Sequence, residues 1–408
     1  MRPGTTDQAD RDLAGALAEI ISALAPIPRL PASAGEREAA HLIRDRLQAA
    51  GCAARVEDAP AYSSYARPVG LLTAAGVIAG LMAGRRSRWG RAAGTVLATA
   101  ATAGIVDDIT NGRLLARRLL ARQGTTTNVI AEAADVSAGK TLVVLVHHDA
   151  APSGVVFSQH VQRWLAATHP EIVDKMTSNP PLWWPVIAGP ALVAAGGLLG
   201  LRGLRRAGTG MSAVATAALA DIALRPPVPG ANDNLSGVAV AILVAHALRR
   251  NPVTGLRVLF VSAGAEEALQ QGARELARRY FGRLDPRQTW FLTLDTVGSG
   301  RLVLLEGEGT VRMHDYDERF KDLVAACAAR CGVPLLRGLR SRNSTDGCVP
   351  LAHGFPAATL VSVDDSKLLP NYHLYSDLPE NVDYRSVADA VRLTEAVTRT
   401  LARWSGKP

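Results

Sequence analysis

A chain of 408 residues is too long for one small domain and suits one large α/β domain carrying insertions. Apolar residues make up 48% but aromatics only 5%, so packing relies on small side chains, as between membrane helices or in tight α/β layers. The net charge of +8 does not mark a nucleic-acid-binding protein: the arginines gather in short clusters beside apolar runs, where basic residues set topology rather than meet phosphate.

The N-terminus shows no basic stretch followed by an apolar core, so no cleavable signal peptide is expected. Asp10 to Leu24 reads as an amphipathic helix, and a second helix running through Leu42 to Leu47 follows the proline-rich break at Pro26 to Pro31. The pattern then changes. Val69 to Gly84 is uncharged, Arg85 to Arg91 is a basic turn containing Trp89, and Ala92 to Val106 is uncharged again. A second such unit runs from apolar Leu182–Leu201 through basic Arg202–Arg206 to Ala207–Leu224, apolar apart from Asp221.

Residues 69–107 and 182–225 therefore read as two helical hairpins with arginine-rich tips. A membrane span needs about 20 apolar residues. Leu182–Leu201 meets that length, with Pro185 and Pro190 as bends, and the other three segments are short or marginal. Two hairpins of this kind favour a membrane-embedded bundle of four helices, contacting lipid through residues 69–107 and 182–225, over soluble hairpins packed on the main domain. The expectation is a multi-pass protein of the cell membrane. If the tips face the cytoplasm, the even number of spans leaves the rest extracytoplasmic. Arg113 to Arg122, which holds four arginines, runs against that orientation.

The remaining segments, 1–68, 108–181 and 226–408, alternate strand and helix. Thr127–Glu132, Thr141–His147, Leu256–Ser262, Trp290–Asp295, Arg301–Leu305 and Ala358–Val363 are strand-like. The unbroken LVVLV run before His147 is the pattern of a strand buried on both faces. Helices are expected over Ser236–Arg249, Glu267–Tyr280, Asp315–Cys331 and Tyr384–Trp404. This alternation predicts an α/β fold with a mostly parallel mixed sheet covered by helices on both faces. Cys327 and Cys331 lie one helical turn apart and read as buried thiols, while a disulfide through Cys348 stays open.

Ionisable residues collect at the predicted strand ends, where sites in such sheets form. His147 and Asp149 end one strand, Glu266 and Glu267 follow another, and Asp295 ends a third. Asp233 sits in the GANDN turn before a helix and His373 in the polar loop PNYHLYSD. Any one of these reads equally well as a surface or capping residue. Together, three carboxylates and two histidines form the mixed oxygen and nitrogen set that zinc accepts. Two metals side by side need one bridging carboxylate and a base that binds neither metal, and of two adjacent glutamates one can bind metal while its neighbour takes the proton.

The ordered set HHD (147–149), NDNLSGVA (232–239), AEE (265–267), TLD (293–295) and YHLYSD (372–377) resembles the zinc aminopeptidases of metallopeptidase family twenty-eight. The resemblance covers about residues 125–165 and 228–400. It implies a phosphorylase/hydrolase-like zinc-peptidase fold, two zinc ions per chain and peptide substrates. It also implies that His147 and Asp295 bind one zinc and Glu267 and His373 the other, with Asp233 bridging. Asp149 would hold the His147 ring, and Glu266 would be the general base. Tyr372, Asn343 and Asp346 become candidates for pocket or supporting roles, and no substrate-binding residue is assigned.

Three departures stand out. His148 occupies a position often taken by tyrosine and competes with His147 as a ligand, which the H-x-D spacing to Asp149 decides for His147. The segment between Asp149 and Asp233 is long, with 150–181 positioned to cap or shape the site. After AEE, the sequence ALQQG delays a glycine. The expected function is a membrane-anchored metallo-aminopeptidase. The alternatives are a single-zinc enzyme resembling glutaminyl cyclases and a catalytically inactive membrane-bound scaffold.

Overall fold

The computed structural model describes residues 4–404. Two helices, α1 (Gly4–Leu24) and α2 (Ala34–Ala49), precede an edge strand, β1 (Ala53–Tyr62). Ser33 stops the proline-rich turn and caps α2 by accepting the Glu36 N–H at 3.2 Å. The first hairpin follows as α3 (Ala66–Ala83) and α4 (Arg88–Ile109), then the short α5 (Leu115–Leu120), β2 (Gln123–Ala134) and β3 (Thr141–His147). Helices α6 (His160–Thr168) and α7 (Pro170–Lys175) lead into the second hairpin, α8 (Trp184–Leu199) and α9 (Arg202–Leu224).

The chain continues through α10 (Ser236–Arg250), β4 (Arg257–Ala263), α11 (Gln271–Tyr280), β5 (Thr289–Leu294) and β6 (Arg301–Leu304). Two-residue strands β7 (Gly307–Glu308) and β8 (His314–Asp315) precede α12 (Glu318–Cys331), β9 (Leu335–Leu336) and β10 (Arg340–Ser341). Helix α13 (Cys348–Ala352), β11 (Ala357–Val363) and α14 (Tyr384–Arg403) close the fold.

The main sheet has eight strands in the order β1-β2-β4-β3-β5-β11-β6-β9. Its centre, β4-β3-β5-β11, is parallel, and antiparallel pairs flank it. Strand β3 shows why an all-apolar run belongs there. Leu142, Val144 and Val146 enter the core beneath α1, α2, α10, α12 and α14, while Val143 and Leu145 enter the core on the opposite face. The predicted α/β architecture is thus present. Strand β1 and helices α5, α6 and α7 add to it.

Helices α3, α4, α8 and α9 pack together as a four-helix bundle, α3 against α4 and α9, and α8 against α4 and α9. Glycines set the close approach. A Cβ on Gly94 would lie 2.5 Å from the Ala79 carbonyl oxygen, and one on Gly208 would lie 2.6 Å from that of Gly189. The outer surface is apolar, with Ile78, Leu81, Val96, Leu198 and Val214 all more than half exposed. Arg205 at one tip donates to the Gly80 carbonyl of the neighbouring hairpin at 2.9 Å.

Four helices among the described residues are long and apolar enough to cross a membrane: α3, α4, α9 and the stretch Ala231–Arg250. The last is not a span of the bundle, since 83% of it is buried and it lies in the main hydrophobic core of the α/β domain. Helix α8 is shorter than the sequence pattern suggested. Its 16 residues begin after Pro180 and Pro181 and stop at Gly200, whose φ of +70° suits a helix end. All four cysteines are free thiols.

Candidate metal centre

The carboxyl ends of β3, β4 and β5 meet where the chain leaves β3 for β4 on one side and then crosses to β5 on the other. His147 is the last residue of β3, and Asp295 follows β5 directly. Asp233 occupies the wide turn ahead of α10, where its peptide bond to Asn234 is cis. That turn is tied down by its neighbours. The Asp377 carboxylate accepts the N–H groups of Asn232 and Asp233 at 2.8 and 3.1 Å. The Asn234 side chain donates to the Leu294 carbonyl at 2.8 Å and accepts from the Thr296 and Gly237 N–H groups at 3.1 and 3.2 Å.

Glu266 and Glu267 do not begin a helix as the sequence suggested. Ala265, Leu269 and Gln270 are left-handed, with φ of 52°, 72° and 54°, and α11 starts only at Gln271. The turn exists because buried acceptors hold it. Glu36 accepts the Ala265 N–H at 2.7 Å, and the two oxygens of Asp149 accept those of Glu266 and Glu267 at 3.0 and 2.9 Å. Asp149 stands 3.5 Å from His147 Nδ1, so its stronger grip is on the glutamate turn. Gln270 donates to Glu266 Oε1 at 2.9 Å, steadying that side chain.

These segments bring all five expected ligands together. His147 Nε2 lies 3.4 Å from Asp233 Oδ1 and 3.9 Å from Asp295 Oδ2. His373 Nε2 lies 3.2 Å from both Asp233 Oδ2 and Glu267 Oε2. Two groups result, His147–Asp233–Asp295 and Asp233–Glu267–His373, each with one ligand atom per residue within 4.8 Å of the others. Asp233 belongs to both. His148 belongs to neither; it is buried, its Nδ1 pairs with Ser262 Oγ at 2.9 Å, and burial lowers its pKa to about 4.

The electrostatics are those of crowded, dry anions. Burial pushes Glu266 well above the carboxylate range, and Asp346, Glu267 and Asp295 push it further. Burial, then Asp233 and Glu308, lift Asp295 to about 7. Asp233 moves the other way because the two imidazoles outweigh its own desolvation. Burial alone would depress His373, yet Glu267 and Asp233 raise it to about 10.

His147 Nδ1, Asp233 Oδ2, Glu267 Oε1 and both His373 ring nitrogens are buried without a hydrogen-bond partner. Leaving such atoms unpaired costs about 1–3 kcal/mol each. Divalent cations fit this donor set, taking up the lone pairs and displacing the protons that the crowded acids hold.

Sequence reading missed several supports. Arg29, fully buried, donates to the carbonyls of Leu24, His148 and Pro229 at 2.8, 2.8 and 2.7 Å, joining α1 to both the β3 end and the Asp233 turn. It lies in the proline-rich break, where no periodic pattern points to it. Phe157, from the long 150–181 insertion, meets the His373 ring edge-on at 4.4 Å, and Tyr372 stacks on that ring at 3.8 Å. Gln159, Met176 and Asn179 from the same insertion line a cleft of about 170 Å³ over the cluster, with Asn343 and Tyr372 opposite. Asp346 is buried behind it, both oxygens unpaired.

Residues 214–398, which span Asp233, both glutamates, Asp295 and His373, match the model of Peptidase family M28. Over that segment the chain is similar to the family. The M28-like fold here is similar to the aminopeptidase from Aneurinibacillus sp. strain AM-1, at 16% identity and a TM-score of 0.57, covering 97% of this chain and 95% of that one. It is similar to BSAP, a zinc aminopeptidase from Bacillus subtilis, at 15% identity and a TM-score of 0.55, covering 94% of each chain. A glutaminyl cyclase from Bacteroides thetaiotaomicron matches at 13% identity and a TM-score of 0.55, covering 95% and 97%. These likenesses show the fold and do not separate the two activities. No curated protein matches the sequence. His147 and Asp149 precede the matched segment, and the M28-like domain gains them through β3, the central strand.

Proposed function

We propose that this M28-like domain is a metallo-aminopeptidase that holds two zinc ions and is anchored in the membrane by residues 69–107 and 182–225. The reading divides the chain into peptidase segments 1–68, 108–181 and 226–408 around two inserted hairpins. The observation that carries it is Asp233, one carboxylate shared by two complete three-residue donor groups. In this reading His147 and Asp295 would hold one zinc and Glu267 and His373 the other, with Asp233 available to both. Bound zinc supplies a polarised scissile carbonyl and an acidified water.

The protein's own residues supply positioning and proton transfer. Glu266 takes the proton from the attacking water and returns it to the departing amine. Burial, with the charges of Asp346, Glu267 and Asp295, raises its pKa, which makes the carboxylate a stronger base toward that water. Asp149 fixes its backbone and Gln270 its side chain. Phe157 and Tyr372 keep the His373 ring in place and screen it from water. Three bundle helices of spanning length and composition and an apolar outer face support the membrane reading. Arginine-rich tips on the far side support an extracytoplasmic site.

The test is hydrolysis of alanyl- and leucyl-anilides. Turnover is expected with a free amino terminus, lost with a chelator and restored by zinc, and absent for N-acetylated substrates. Cyclisation of N-terminal glutamine peptides without anilide hydrolysis would instead assign the glutaminyl-cyclase activity. Neither reaction, with a cellular role untouched by Glu266→Gln, would leave a scaffold.

A further inference from the structure

The site opens in two directions, and the second leads to the helical bundle. A cavity of about 120 Å³ leaves Glu266, Glu267, Tyr372 and His373 and runs along α9, past Trp183 and Val186 at the start of α8. Its α9 wall is Ala215, Ala218, Leu219 and Ile222, one face of two turns and about 10 Å of helix. Beyond the site residues themselves, no charged side chain lines it. The larger cleft differs: Gln159, Gln162, Asn179, Arg340 and Lys367, none of which reaches the limb, give it a polar, cationic wall.

Asp233 and Asp295 line the larger cleft and not the apolar limb, whereas Glu266, Glu267 and His373 line both, so the limb leaves the cluster on the side away from Asp295. In the aminopeptidase reading Glu266 returns a proton to the departing amine, and a limb that keeps Glu266 at its mouth while leaving Asp295 behind is assigned to the leaving-group side of the scissile bond. Hydrolysis there breaks the amide C–N bond; water supplies a hydroxyl to the carbonyl carbon and a proton to the amine. What remains in the limb is the chain attached to that amine. Gln270, Asn343 and Ser344 also line the limb, but along its wholly apolar α9 wall chains are discriminated by the hydrocarbon they bury.

We propose that the inserted helices α8 and α9 form a subsite for an apolar segment directly following the scissile bond, which makes amphiphilic peptides with apolar second and third residues the preferred substrates. This rests on the aminopeptidase reading and adds to it a role for the bundle in specificity as well as anchoring.

The test uses the full chain, zinc-loaded in lipid nanodiscs, with L-alanyl alkylamides from methyl to octyl. Each added methylene is expected to raise kcat/KM by about two- to fourfold over the first carbons, levelling off as the limb fills. Ala218→Phe, which blocks the limb, should bring the octyl-to-methyl ratio close to one. A flat series in the unmodified protein overturns the proposal, as does an unchanged ratio in a folded Ala218→Phe protein. Should that variant fail to fold, the unmodified series alone decides. If no alanyl amide is cleaved, the peptidase reading fails, and equilibrium dialysis judges the limb separately. Tighter binding of the octyl than the methyl amide, corrected against empty nanodiscs, keeps the subsite, and equal binding discards it.

Discussion

Asn234, not Asp233, bonds the first turn of α10. The asparagine accepts the Gly237 N–H, and the residue before it is left with an oxygen that no hydrogen bond claims. A sequence cannot separate these two neighbours, because both are good caps and sit one position apart. The assignment of roles gives a paired outcome. Glu266→Gln should lower kcat by about 10²–10⁴-fold while zinc stays bound, since it removes proton transfer. Asp233→Ala should release zinc as well as abolish turnover. Equal zinc loss in both proteins would refute the division.

Glu36 offers a test through pH. Burial, with the charge of Asp149, raises its pKa to about 8, above its ordinary 4.5. A carboxyl raised by folding contributes stability that is full below about 4.5 and lost as pH rises through about 8. Chelated protein should therefore lose melting temperature over that window. Glu36→Gln keeps an oxygen for the Ala265 N–H and the Thr126 hydroxyl but cannot ionise, so its decline should be shallower. Identical slopes in the two proteins would count against this account.

Among the elements, the buried ones were legible and the peripheral ones were not. Strand β3 announces itself because both of its faces are covered, so every position is apolar. Strand β1 was invisible: as an edge strand it carries exposed Arg55 and half-buried Glu57 beside Pro60, without alternation. Helix α11 was read four residues too early. Its expected first turn is instead bent by left-handed Leu269 and Gln270, after a left-handed Ala265, and is held by Glu36 and Asp149 from distant parts of the chain. The five metal-ligand candidates were legible through their motif order, while Arg29 was not, because its partners are backbone carbonyls that no side-chain pattern records. Arg29→Met leaves those carbonyls unpaired and should cost about 3–5 kcal/mol, read by chemical denaturation. A loss below about 1 kcal/mol would mean that α1 is not fastened to the site by this residue.

At the scale of the whole molecule, the two hairpins add to a peptidase-like fold an apolar bundle beside the candidate metal centre. The bundle and the site are wired together. Arg117, paired with Asp108 at the base of the first hairpin, donates to the Ala268 carbonyl at 2.6 Å, and Asn111 donates to Gln270 at 2.8 Å. Helix lengths of about 24–35 Å bracket the hydrocarbon thickness of about 30 Å, with α8 the shortest. Membranes washed with high salt or carbonate should retain the protein and detergent should release it. Recovery in the carbonate supernatant would mean that the bundle only packs on the domain.

The most direct measurement is zinc content per chain, by elemental mass spectrometry on purified protein dialysed against metal-free buffer. Two zinc ions per chain, both removed by a chelator together with anilide hydrolysis, is the expected result. A single zinc, or none at full activity, would contradict a shared Asp233 at the centre of the site.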